Sequence, residues 1–316
     1  MGYLLDIRVK TDLVTQNIGR VLLGKEKTVE MALTALVCAG HILIEDAPGL
    51  GKTTLATCLA KSLGCSFGRI QFTPDLLPSD ITGFTMYDIN TGEKKLCPGS
   101  VMHQLVLADE INRTSPKTQS ALLEAMQEHQ VTVDGQTIGL PRPFMVMATQ
   151  NPLEFAGTYP LPEAQMDRFF MRIRLGYPTI EEETAILTYH QSLSSEPDLQ
   201  AVLNAEDVLQ MQQAVYNITV SSAIKRYISQ IATATRRHQE IELPISPRGS
   251  ISLMRAAMGR ALLLGRAYTM PDDVQQMAEP VLAHRLGLYP AYRAKKRSGE
   301  TVLKEILSTL PVPEAS

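Results

Sequence analysis

His41-Ile42-Leu43-Ile44-Glu45-Asp46-Ala47-Pro48-Gly49-Leu50-Gly51-Lys52-Thr53-Thr54 is the stretch that decides the fold. A short apolar run, HILIE, ends in a glycine-bearing loop, and an alanine- and leucine-rich helical pattern follows through Leu63. Strand, glycine loop and helix in that order open a phosphate-binding unit. Glycines let backbone N–H groups curve around a phosphate chain, and the helix N-terminus adds positive potential. In such a loop Lys52 reaches the β- and γ-phosphates and the Thr53 hydroxyl ligates magnesium. Pro48, Gly49, Leu50, Gly51, Lys52, Thr53 and Thr54 are therefore the expected contacts to ATP. One position departs from the generic pattern, which has Gly six residues before the lysine where this chain has Asp46.

Further apolar runs lie at 69–72, 104–108, 144–149 and 169–174, giving five expected strands with 42–45. They alternate with helical segments such as 115–128, which argues for a mostly parallel sheet with helices on both faces. Two interruptions read as inserted β-hairpins. Asp80–Gly99 carries an Asn90-Thr91-Gly92 turn between two short extended arms, and Gln130–Pro141 carries Asp134-Gly135 between β-branched residues. Asp-Gly is the stronger turn signal; a pair of ordinary surface loops is the alternative. After Pro178 helical periodicity dominates, at 180–191, 205–216, 222–237, 250–265 and 272–286. The expected organisation is an α/β nucleotide-binding core over 1–178 and a small all-helical lid with a C-terminal tail over 179–316.

The second chemical signal is Gln104-Leu105-Val106-Leu107-Ala108-Asp109-Glu110, an apolar strand ending in two acids. Asp109 at the strand end can hold magnesium beside Thr53, so these two are the expected metal ligands. Glu110 can polarise a water for in-line attack on the γ-phosphate. Two carboxylates opening a loop are common, but less so when a glycine-lysine loop precedes them by one βαβ unit. Asn151 ends the fourth strand in Ala148-Thr149-Gln150-Asn151-Pro152. An Asn-Pro pair is by itself a turn signal, and its place here makes it a candidate to orient the attacking water. Arg168, just before the last strand, and Arg248, in Ser246-Pro247-Arg248 at a helix start, are candidates to stabilise charge on the transferring phosphoryl group. A lone arginine is most often a surface residue; the ATP motifs are what raise these two.

Composition bounds the alternatives. A chain of 316 residues with 44% hydrophobic and 20% charged residues buries a real core and suits one large plus one small domain. Its net charge of -3, the absence of Trp and 5% aromatics supply neither a global basic field nor base-stacking platforms. Cys38, Cys58, Cys65 and Cys97 show no metal-site spacing. No run is long and apolar enough for a signal-peptide core or a membrane span, so a cytoplasmic setting is expected.

EDAPGLGKTTLA, ADEINRTSPKTQSALLEAMQE, ATQNPLEFAGTYPLPEAQMDRF and ISPRGSISLMRAA together resemble the MoxR branch of the AAA+ ATPases over roughly residues 22 to 286. The acid at Asp46 fits that branch. The resemblance implies that Lys52 and Thr53 are Walker A residues and that Asp109 and Glu110 are Walker B residues. It further implies sensor 1 at Asn151, sensor 2 at Arg248, and at Arg168 an arginine finger reaching a neighbouring subunit's ATP. It makes Asp80–Gly99 the helix-2 insert and Gln130–Pro141 the hairpin before sensor 1. It also implies a hexameric ring, a von Willebrand A domain partner, and chaperone-like remodelling or metal insertion in a protein client.

Two rivals stand beside this reading: a DNA-directed AAA+ motor, and a nucleotide-gated scaffold that hardly turns over. The charge balance and few aromatics argue against the first, and Glu110 against the second. We expect little affinity for duplex or single-stranded DNA at physiological salt. Tight, sequence-independent binding that collapses as salt is added, measured by fluorescence anisotropy, is the result that promotes the DNA-directed motor.

Overall fold

The computed structural model describes residues 2–87, 93–151, 158–192 and 199–314. Helices α1 (Gly2–Gly19) and α2 (Glu26–Val37) lead into β1 (Ile42–Glu45), α3 (Lys52–Ser62) and β2 (Phe67–Gln71). There follow α4 (Pro78–Thr82), β3 (Gly83–Tyr87), β4 (Lys94–Pro98), β5 (Leu105–Asp109), α5 (Pro116–Glu128), β6 (Gln130–Val133) and β7 (Gln136–Gly139). β8 (Met145–Gln150), α6 (Glu163–Met166) and β9 (Met171–Ile173) complete the α/β part. Beyond it run α7 (Ile180–Ser192), α8 (Ala205–Val215), α9 (Ser222–Arg237), β10 (Ile241–Leu243), α10 (Pro247–Leu263) and α11 (Pro271–Leu282). β11 (Gly287–Leu288), α12 (Pro290–Arg293) and α13 (Gly299–Thr309) close the chain.

The five expected core strands form one parallel sheet in the order β2-β5-β8-β1-β9. Their boundaries shift by a few residues, because an apolar run marks burial rather than the first and last ladder bond. Side chains alternate between the faces. Ile42, Ile44, Leu105, Leu107, Met145 and Met147 enter one apolar cluster, whereas Leu43, Val106, Ala108, Val146 and Ala148 enter another on the far side. Strands buried on both faces read as continuous apolar runs, which is why the sequence signalled them. Both inserts are antiparallel hairpins, β3 with β4 and β6 with β7. The β6–β7 turn is Asp134-Gly135 with both residues at positive φ, whereas the expected Asn90-Thr91-Gly92 turn lies outside the described residues.

The C-terminal helices share the first cluster with α1, α2 and α3, so the apolar core is continuous across the expected boundary at 178. Gly259 permits a close approach: a Cβ there would sit 2.5 Å from the Cys38 sulfur at the end of α2. α10 begins earlier than periodicity suggests, because Ser246 caps it by accepting the Gly249 N–H and Pro247 occupies the first turn. That start puts Arg248 in the opening turn. A small antiparallel ribbon of β10 and β11 also lies in this helical region, too short for a periodicity signal. Among the described residues no helix is long and apolar enough to cross a membrane.

Buried histidines tie the layers together. His41, ahead of β1, accepts the Val146 N–H at Nδ1 and donates from Nε2 to the Met126 carbonyl, linking β8 to α5. Burial is the main cause that pushes His41 from 6.5 to about 4, and it lowers His284 as well, with Arg285 adding to the effect. Both rings therefore stay neutral in the fold while the unfolded chain takes up protons near its ordinary pKa. Stability should be fully present above about pH 6.5 and fall as pH drops toward about 4, by about 3 kcal/mol for His41. Urea denaturation at about pH 7.5 and about pH 5 checks this. His41→Gln should be less stable at the higher pH but lose less on acidification than the parent, and an unchanged pH dependence contradicts the assignment.

Candidate functional site

The loop between β1 and α3 turns at two glycines in left-handed backbone, Gly49 with φ +82° and Gly51 with φ +90°. A side chain at Gly51 would also approach Leu22 at 3.0 Å. The first turn of α3 starts at Lys52 and carries Thr53, so its N–H groups, which have no partner inside a helix, face the loop's hollow. Lys52 Nζ donates to the Asp46 and Ala47 carbonyls at 2.7 and 3.2 Å. Asp46 itself turns away. Its buried carboxylate accepts the Leu175 N–H at 2.5 Å, fastening the loop to the chain leaving β9. That is the physical role of an acid where the generic loop has glycine.

Across the cleft, Asp109 and Glu110 end β5. Thr149, fully buried on β8, donates to Asp109 Oδ1 at 2.6 Å and accepts the Glu110 N–H at 2.8 Å. This clasp supports an unusual backbone, since Glu110 is a non-glycine residue at φ +59°, ψ +49°. Arg69 on β2 pairs with Asp109 Oδ2 at 2.7 Å and also donates to Gln71. Gln71 and Arg113 in turn donate to Glu110 Oε2 at 3.0 and 2.9 Å. Thr149, Arg69, Gln71 and Arg113 had not been singled out in the sequence. Arg69 and Gln71 lie at alternate positions on β2 and pair in register with Leu107 and Asp109, and only that register brings them to the acids.

Lys52, Thr53, Arg69, Asp109, Glu110 and Asn151 line one cavity of about 390 Å³ at the C-terminal ends of the strands, together with Pro48, Gly49, Gly51 and Thr54. Open α/β sheets bind ligands at this edge. An adjoining apolar cavity of about 240 Å³ shares Gly49, Gly51 and Thr54 with it. Leu50, the remaining loop residue, lines only this second space, with Val21, Leu22, Pro178, Ile186 and Tyr189. The pair of cavities offers a polar half for phosphates and an apolar half for a planar base. Among the described residues no three His, Cys, Asp or Glu gather into a metal cage. Thr53 and Asp109 fit an ion such as Mg2+, which takes few protein ligands and completes its shell from phosphate oxygens.

Arg168 and Arg248 lie elsewhere. Both line a cavity of about 240 Å³ with Gly40, His41, Asp167 and Arg255, at the edge where β1 and β9 begin rather than end. Arg168 is half-buried and donates to the Leu123 carbonyl at 3.0 Å, and Arg248 stands 3.7 Å from Asp167. The segment bearing Arg168 is held by buried Arg285, which pairs with Asp167 at 2.7 Å and donates to the Phe169 and Phe170 carbonyls. Neither arginine lines the cleft containing Lys52 of the same chain.

Comparison with known proteins agrees with this geometry. The profile "ATPase family associated with various cellular activities (AAA)" matches residues 41–171, and the AAA lid domain matches residues 233–306. The chain is 49% identical to YeaC of Bacillus subtilis (strain 168), over 99% of this chain and 98% of that protein. It is 40% identical to the chaperone MoxR1 of Mycobacterium tuberculosis, over 94% of this chain and 81% of that protein. A crystal structure of a candidate ATPase from Cytophaga hutchinsonii superposes with a TM-score of 0.92 at 37% identity, covering 98% of this chain and 97% of that one. With its parallel sheet, its phosphate loop and its helical C-terminal region, the chain belongs to the MoxR family of AAA+ ATPases.

Proposed function

We propose that the chain hydrolyses ATP with Mg2+ in a ring of like subunits, a hexamer by family resemblance, and uses the cycle to remodel a protein client. The observation that carries this reading is the separation of two charged sites to opposite edges of one sheet. Lys52, Thr53, Asp109, Glu110 and Asn151 share the cleft at the strand ends, while Arg168 and Arg248 share a groove at the strand starts. A sheet of parallel strands keeps these edges apart within one chain, so the arginines are suited to the phosphates of a neighbouring copy.

In this reading the loop N–H groups and Lys52 bind the phosphate chain, and Leu22 and Ile186 receive the base. Thr53 and Asp109 would hold Mg2+, which would supply neutralising charge to the phosphates. Glu110 takes a proton from the attacking water, and Asn151 orients that water. Arg168, with Arg248 beside it, stabilises the charge that develops on the transferred group in the adjacent subunit. The core over 1–178 supplies the phosphate and metal contacts, and the region over 179–316 adds Ile186 to the base contacts and relays the nucleotide state. The named relative MoxR1 is a chaperone, which supports a protein client over DNA. A von Willebrand A domain partner, chaperone-like remodelling or metal insertion, and a cytoplasmic setting complete the proposal.

Lys52→Ala should abolish ATP binding, whereas Glu110→Gln should keep binding and lower turnover by roughly 10²- to 10⁴-fold. Calorimetry and phosphate release separate these effects, and equal loss of binding in both variants reverses the assigned roles. Arg168→Ala should leave ATP affinity nearly intact while lowering turnover, by roughly 10³- to 10⁵-fold on the scale of arginine fingers in GTPases. Mixed with Glu110→Gln subunits it should regain part of the activity, because some interfaces then join an intact Arg168 to an intact Glu110. Absence of any recovery in co-assembled rings rejects a site shared between subunits.

A further inference from the structure

Asp109, the acid proposed for Mg2+, carries two partners of unlike character. Its Oδ1 is held by the fully buried Thr149 hydroxyl, part of the clasp that also fixes Glu110. Its Oδ2 is held by Arg69, whose side chain is 50% exposed at the edge strand β2. The first partner cannot leave without opening the sheet. The second can swing into the cleft it already lines. Lys52 does not share this duty, since its ammonium is spent on the Asp46 and Ala47 carbonyls.

We infer that Arg69 is an exchangeable counter-cation for Asp109, which it neutralises in the nucleotide-free protein and surrenders when a divalent ion arrives with nucleotide. The inference rests on the nucleotide reading above and goes beyond it. Two positive groups cannot both sit on one carboxylate oxygen without strong mutual repulsion, so metal entry and departure of Arg69 are one event. The departure reaches further than Asp109. The same Arg69 Nη2 that binds Asp109 also donates to Gln71 Oε1, and Gln71 Nε2 donates to Glu110 Oε2. Once Arg69 leaves, Gln71 loses the partner that fixes its amide and slackens its hold on Glu110. Arg69 is thus a positioning residue: it keeps the water-activating acid tethered until the metal is in place. It also disfavours loading of the bare metal, because an ion without nucleotide must displace a guanidinium from a preformed pair.

Electron paramagnetic resonance of Mn2+ on the full chain tests this without reading catalysis. Nucleotide-free parent should bind Mn2+ weakly, and Arg69→Gln should bind it at least about tenfold more tightly, because the competing charge is gone. Arg69→Lys, which keeps the charge but cannot bridge Asp109 and Gln71 together, should give a smaller gain. With saturating ADP present the three proteins should converge, since the parent has then already released Asp109. Asp109→Asn without nucleotide should bind no Mn2+ and leave the full free-ion spectrum, with Arg69 intact or replaced. Nucleotide-free affinity that is unchanged or weaker in Arg69→Gln overturns the inference while leaving the nucleotide reading intact, provided the parent holds Mn2+ with ADP. If the parent holds none with ADP, the nucleotide reading fails and this inference falls with it. Should Arg69→Gln not fold, parent-like affinity in Arg69→Lys overturns it alone.

Discussion

The hydroxyl of Thr149 is the point on which the site depends. It donates to Asp109 and accepts from the Glu110 backbone, joining the ends of two neighbouring strands through one buried oxygen. The clasp sets the spacing of the two acids and offsets the cost of left-handed backbone at Glu110, a strain on the order of 1–3 kcal/mol. A hydrogen bond to a charged carboxylate inside the sheet is also stronger than one at the surface.

The parallel sheet then distributes the chemistry. Strand ends collect the loop, the acids and Asn151, while strand starts collect Arg168, Arg248, Arg255 and the buried His41. Arg285 matters to the second group because it satisfies four backbone or carboxylate acceptors from Asp167 to Phe170, and so fixes the corner from which Arg168 projects. The asymmetry is of the kind that the proposed head-to-tail contact, joining one copy's strand starts to another's strand ends, would need.

Much of this was legible in the sequence because it is local. The phosphate loop, the two acids after β5 and the Asp134-Gly135 turn each occupy a few consecutive residues whose chemistry needs no distant partner. The central strands β1, β5 and β8 were legible through burial on both faces, the edge strands through shorter apolar runs, and the helices through periodicity. What escaped lies across registers. Arg69 meets Asp109 from 40 residues away, and Thr149 meets Glu110 from 39. Leu22 reaches the apolar cavity from the segment after α1, where no motif marks it. Asp46 looked like a departure from a pattern, and its purpose emerged only with Leu175 beside it. The distance from Arg168 to its own cleft was expected from the family resemblance alone, and the topology supplies its physical reason by assigning each segment to one edge.

The continuous apolar core has a mechanical corollary. A helical region that shares one cluster with α1, α2 and α3 cannot hinge as a rigid body without exposing buried surface. α7 is different: none of its described side chains is buried, yet Ile186 and Tyr189 form one wall of the apolar cavity. Local opening free energy follows buried contact, so α7, like the short α12 whose side chains are also unburied, should exchange its amide hydrogens more readily than the helices of the shared cluster. A compliant part of the molecule is therefore the helix laid over the apolar cavity, and the bulk of the C-terminal region is its frame.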